Sequence, residues 1–134
     1  MMQQLCLEAA SELPLKIESL EWDDPVLNFY GHNWGFSTMS AWRIVQDGVI
    51  VCSSQEQNKA SYLQKMKGEW IKSIEIQSEE LPVDPVFILS NGYRLEIFST
   101  FYLEPWVFRL PTGGFYNGSP ADAKWILNLY FKML

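Results

Sequence analysis

Few residues in this chain of 134 have the type and spacing that chemistry needs. The sole histidine, His32, stands in "GHNWGF" between two glycines. An imidazole serving as general base wants a carboxylate or a nucleophile beside it, and one serving a metal wants further imidazole or thiolate ligands. Neither accompanies it, so His32 reads as a turn residue, or with Asn33 and Trp34 as part of a loop lining a pocket. Carboxylates gather in two places: Glu18, Glu21, Asp23 and Asp24, then Glu79, Glu80 and Asp84. Paired carboxylates can divide acid and base work or hold a divalent ion, but no Gly-centred calcium-loop spacing is present. Solvated loops are the plain reading. The functional one is an acidic surface that meets a basic site on a partner. Arg94, Glu96 and Arg109 fall on expected strands, where a polar cluster or simply the wet face of a half-buried sheet would place them.

Other signatures of catalysis are missing. There is no phosphate-cradling glycine loop, no Gly-x-Ser-x-Gly, no paired Cys-x-x-Cys and no His-Glu-x-x-His. Cys6 and Cys52 lack any ligand or disulfide spacing and read as two reduced thiols. No metal and no cofactor is therefore expected. The formal charge of -6 repels phosphate backbones, which argues against nucleic acid as a partner. No apolar run approaches the ~18 residues of a membrane span, and the first residues carry no basic, signal-like region. A cytosolic location is the expectation, in which "NGS" at Asn117 to Ser119 is turn chemistry and not a glycan acceptor.

What must hold such residues in place is legible as an echo. "IESLEW" (Ile17 to Trp22) returns as "IKSIEI" (Ile71 to Ile76), and each is followed by Asp-Pro opening an apolar run that ends at glycine, Asp24-Pro25 to Gly31 and Asp84-Pro85 to Gly92. Ser-Thr connections then lead to strands beginning with Trp42 and Trp106. Period-two alternation sends Trp42 with Ile44, and Trp106 with Phe108, to one face, and Arg43 and Val107 to the other. "DGVIVC" and "TGGFYN" follow as tight turns with short strands. Ser53 with Glu56, and Ser119 with Asp122, then have the spacing of helix-capping pairs. Pro120 suits a first helical position.

These elements predict one α+β domain, 1–134, built from two pseudo-repeated β-rich units of about 15–68 and 69–134, each followed by a helix. Short strands with close connections favour a twisted antiparallel meander, as one sheet or two half-sheets about a pseudo-twofold relation, with a rolled, barrel-like sheet as the alternative. Gln3 to Glu12 reads as a short helix or irregular cover. The first unit's helix is expected at Gln55 to Lys67, with Gly68 as its stop. The second, Pro120 to Met133, is apolar nearly all round and would permit a homodimer. Ile71, Ile74 and Ile76 are expected in the core.

Composition supports a packed domain: 48% of residues are hydrophobic, 19% are charged, and six are Trp. "FILSNGYRLEIFS" followed by "PWVFRLP", within Val86 to Pro111, resembles a segment of small uncharacterised bacterial cytosolic proteins, some of immunity type. "EWIKSIEI" fits the same likeness. The resemblance implies binding to a cognate toxin and transfers no functional residue. Three functions are thereby ranked. The first is a non-catalytic protein-interaction module using an acidic surface of Asp23, Asp24, Glu79, Glu80 and Asp84. The second is a small-molecule module with a pocket between the units, lined by His32, Trp34, Trp42 and Trp106. The third is an enzyme using Asp24 and Asp84.

Overall fold

The computed structural model describes residues 1–99 and 106–118. Its elements run α1 (Met2–Ala10), β1 (Leu15–Lys16), β2 (Ser19–Asp23), β3 (Val26–Gly31), β4 (Trp34–Thr38), β5 (Ala41–Gln46), β6 (Val49–Ser53), α2 (Lys59–Gln64), β7 (Trp70–Ile76), β8 (Pro85–Leu89), β9 (Arg94–Phe98), β10 (Trp106–Arg109) and β11 (Phe115–Gly118). Turn chemistry sets the joints. His32 and Asn33 form a two-residue connection in which Asn33 takes the positive φ, and Asp47-Gly48 form another in which both residues do. Side-chain amides and carboxylates tolerate that region, and glycine enters it freely.

Among the described residues the strands make two antiparallel sheets in an α+β, β-rich fold, as the two-half-sheet form of the expectation has it, and no closed barrel. One has six strands in the order β1-β7-β8-β9-β5-β6, the other five in the order β11-β10-β4-β3-β2. Apart from β1 at the edge of the six-stranded sheet, each sheet takes three consecutive strands from one half of the chain and two from the other. The pairing registers match as well. Leu20, Phe29, Phe36, Phe108 and Tyr116 are successive partners across the five-stranded sheet. Ile74, Phe87, Leu95, Ile44 and Cys52 are the successive partners across the other.

These two rows are the inner faces. Phe87 meets Phe29 edge-on at 5.3 Å between ring centroids, Phe36 at 4.8 Å, and Phe108 in a stack at 5.9 Å. Such ring pairs add about 0.5–1.5 kcal/mol each beyond burial. Trp34 and Trp106 extend the cluster, and a β-carbon on Gly118 would lie 2.0 Å from the Trp106 indole nitrogen, so only glycine fits there. The helices tie the sheets together at their margins. α1 packs on β7 while its Glu8 accepts a hydrogen bond from Tyr116 of the other sheet. α2 lies beside β6 while Lys59 reaches Asp24 in the β2–β3 turn.

Several expectations are corrected here. Ser53 does not cap a helix: α2 begins at Lys59 after Asn58, and Ser53 ends β6, its carbonyl accepting from Glu56 N–H in a turn. The two Asp-Pro pairs are not equivalent, because Pro85 faces Ile76 as Leu27 faces Trp22, while Pro25 lies in the preceding turn. Ile71 and Ile74 are both buried although three residues apart, because a register shift between Ile71 and Ser73 restores the inward face. Ile76 is half-buried. The helix expected from Pro120, its Ser119–Asp122 pair and the dimer built on it lie outside the described residues.

Candidate functional site

Opposite the aromatic core, the outer face of the five-stranded sheet is open. Period two puts Ser19, Glu21 and Asp23 of β2 on that face, then Val26, Asn28 and Tyr30 of β3, Gly35 and Ser37 of β4, Val107 and Arg109 of β10, and Phe115 and Asn117 of β11. Tyr30, Gly35, Arg109 and Phe115 are successive cross-strand partners. Tyr30 is 38% exposed and Phe115 62% exposed, unusual values for large rings on a sheet. Between them lies a hollow of about 370 Å³ lined by Asn28, Tyr30, Gly35, Ser37, Val107, Arg109 and Phe115, with Phe36 beneath.

Three features give this face its chemistry. Arg109 is exposed and has no hydrogen-bond or ion-pair partner among the described residues, so its guanidinium is available. Tyr30 donates its hydroxyl proton to Glu21 Oε1 at 3.0 Å, holding the ring against β2. Glu21 and Asp23 make the far margin acidic, whereas Arg109 makes the near margin basic. Aromatic rings and arginine are the residue types most enriched in protein interfaces.

The sequence-predicted residues distribute differently. Asp23 is on this face, and Asp24 is exposed in the β2–β3 turn, but Glu79 and Glu80 are exposed in the β7–β8 connection, which belongs to the other sheet. Asp84 is no surface residue. It is 5% exposed and accepts from Ser99 N–H at 2.8 Å, from the Ser99 hydroxyl, and from Trp106 Nε1–H at 3.2 Å. A carboxylate so engaged is a structural tie, because its acceptor sites are already taken by Ser99 and by the Trp106 indole, which also donates to the Val83 carbonyl. The proposed polar cluster also splits. Arg94 and Glu96 are joined, whereas Arg109 lies on the opposite sheet.

Among the described residues the four expected pocket residues do not come together around a cavity. Trp34, Trp42 and Trp106 are all buried in the core, where their rings replace the space that a pocket would need, and His32 is exposed at the β3–β4 turn. A cleft of about 480 Å³ lies elsewhere, lined by Asp24, Pro25, Met39, Ser40, Ala41, Ser54, Gln55 and Lys59. Lys59 is buried beside it, donating to Asp24 Oδ1 at 2.5 Å and to the Ser54 carbonyl at 2.9 Å. The ammonium is thus neutralised before any ligand arrives.

Cys6 and Cys52 are both free thiols, and burial, aided by Glu75 at Cys6 and by Glu56 at Cys52, pushes each above its ordinary pKa, away from reactive thiolate. Among the described residues no group of three or more His, Cys, Asp or Glu side chains is placed to hold a metal ion. None of their helices is long and apolar enough to cross a membrane.

Sequence reasoning missed Tyr30, Gly35 and Phe115. The signal was present as alternation: in "WGFST" the buried Trp34, Phe36 and Thr38 force Gly35 and Ser37 outward. What it lacked was the neighbour on each side. The chain matches no protein-family model, no curated protein and no solved structure.

Proposed function

We propose that this chain is a non-catalytic protein-interaction module, of the bacterial cytosolic immunity type, that binds a partner through the outer face of its five-stranded sheet. The observation that carries the reading is the pairing of exposed Tyr30 and Phe115 with an unpartnered Arg109 around a hollow on an otherwise regular sheet. Exposed aromatics flanked by polar residues are what interfaces use as anchors. The acidic margin of Glu21 and Asp23 would steer a partner carrying the opposite charge. The matched registers of the two sheets support a duplicated plan, in which each copy lends its last two strands to the other. Duplication frees one copy of a surface to serve binding while the other serves stability.

The test is affinity capture from extracts of the source cells, with partners identified by mass spectrometry. Wild type should enrich a defined protein that the double variant Tyr30→Ser, Phe115→Ser, folded by circular dichroism, does not. Equal recovery by both, or recovery by neither, sinks the reading.

A second reading rests on the cleft at Lys59, whose volume suits a small polar molecule. A ligand there would raise the melting temperature of wild type in a metabolite panel, and a panel that produced no rise would remove this reading.

A further inference from the structure

Gly35 is the residue that neither the backbone nor the packing requires. It is not in the left-handed region, and a β-carbon built on it would come no nearer than 3.4 Å to its closest neighbour, Cβ of Tyr30. Gly118 and Gly31 differ sharply, since a β-carbon there would lie 2.0 Å from the Trp106 indole and 2.3 Å from the Lys16 carbonyl. A glycine inside a strand weakens it through backbone entropy and the side chain it does not pack. Gly35 sits on β4, the central strand of its sheet, where that weakness is greatest. Its effect is to open the floor of the hollow.

The dimensions of that opening follow from the sheet. Tyr30 on β3 and Arg109 on β10 flank Gly35 on either side. Neighbouring strands are about 4.8 Å apart, so the gap between their stems is about 10 Å, the room of one apolar side chain. Arg109 forms one wall and offers planar donors to a carboxylate beside it. Asn28 and Ser37, one step along the strands, supply hydrogen-bonding groups for a backbone. In a chain of net charge -6, an arginine left without a carboxylate among the described residues points to one supplied from outside.

We propose that the hollow over Gly35 receives an apolar side chain of a partner protein, while Arg109 pairs with a carboxylate two residues away in the same extended partner segment. Two residues along an extended chain put both side chains on one side, about 6.7 Å apart, within the reach of the long arginine. This rests on the interaction-module reading of the same face and specifies what that face recognises.

The experiment uses full-length ¹⁵N-labelled protein and two blocked peptides, Ac-Ser-Leu-Ser-Asp-Ser-NH₂ and its Asn counterpart, titrated by NMR, with acetate as a third arm. The Asp peptide should shift the amides of Gly35, Ser37, Val107 and Arg109 saturably and bind about fivefold more tightly than the Asn peptide, the size of one exposed charge pair. Arg109→Gln should remove that preference. Gly35→Ala should weaken both peptides while raising the melting temperature by about 3 °C, which shows that the loss is not unfolding. Equal binding of the two peptides, no saturable shift with either, or the same shifts with acetate alone would each overturn the proposal. Capture of a partner that Gly35→Ala leaves undiminished would overturn it while leaving the interaction module intact.

Discussion

The outer faces of the two sheets are built on matching positions and end in opposite states. Where the five-stranded sheet runs Tyr30, Gly35, Arg109 and Phe115, the six-stranded sheet runs Ile88, Arg94, Val45 and Ile50 in the same cross-strand order. Arg94 thus stands at the place of Gly35. Its Nε donates to Glu96 Oε2 at 3.0 Å and its Nη1 to Glu75 Oε2 at 3.2 Å, while Arg43 Nε donates to Glu96 Oε1 at 2.5 Å and its guanidinium rests 4.7 Å from the Phe98 ring centroid. Burial works against the charged form of Glu96, but the hydrogen bonds and charges of Arg43 and Arg94 outweigh it and hold the carboxyl below its usual range. One face is filled and electrically closed. The other has a hole where the arginine would be, and an arginine without a carboxylate. Corresponding cross-strand rows therefore do not dictate how a face is filled; two or three side chains do.

The comparison depends on the core that both faces share, so the largest effect should come from Phe87, whose ring touches Phe29, Phe36 and Phe108. Phe87→Ala should cost about 3–5 kcal/mol in urea denaturation, and a value below 1 would mean that the sheets are not packed through this ring. Breaking the closed face comes next. Glu96→Gln removes the carboxylate that Arg43 pairs with and one of the two that Arg94 pairs with, Glu75 remaining, and both arginines are more than one third exposed, so about 2 kcal/mol is expected in place of a fully buried pair's 3–5.

That loss has a pH signature. A carboxyl whose folded pKa is depressed contributes stability above its unfolded pKa of about 4.3 and loses it as pH falls through the folded value. The gap between wild type and Glu96→Gln should therefore be full at pH 7 and close below pH 4; a gap independent of pH would rule the charge network out as its source. Tyr116 behaves in the opposite direction at the other end of the scale. Burial, helped by Glu8, pushes its hydroxyl up to about 12, so the unfolded chain loses that proton first and stability should fall as pH rises above about 10. Tyr116→Phe should flatten that decline in a pH series.

On the open face the effects are small and of mixed sign. Gly35→Ala should stabilise by about 0.5–1 kcal/mol, because a strand-compatible residue replaces glycine without a clash. Arg109→Gln should stay within about 0.5 kcal/mol, since the charge has no described partner to lose. A loss above 1 kcal/mol at either position would make this face structural and erase the contrast.

Local pattern made much of this readable. The turn at Asp47-Gly48 and the inward set of Trp42, Ile44, Trp106 and Phe108 follow from chemistry between residues close in sequence. A tight turn needs only its own φ values, and a strand's alternation needs only the pleat. Lys59 shows where such reasoning stops, because a lysine in a polar run gives no sign that it will be buried against Asp24 and Ser54. Asp84 and Asp24 stand in the same Asp-Pro context, yet one is buried under Trp106 and the other is exposed.

What the sequence by itself determined is which side of the central strands is apolar and where the chain makes its tight turns. Tertiary structure alone decided which strands became neighbours. Pairing β4 with β10 joins residues 68 to 74 positions apart and pairing β9 with β5 joins residues 49 to 57 apart, and nothing in either segment's own preferences selects the partner. The selection comes from burying two aromatic and aliphatic rows against each other, a gain that exists only once both sheets are formed. The open face, with Gly35 between Tyr30 and Arg109, is a product of that choice.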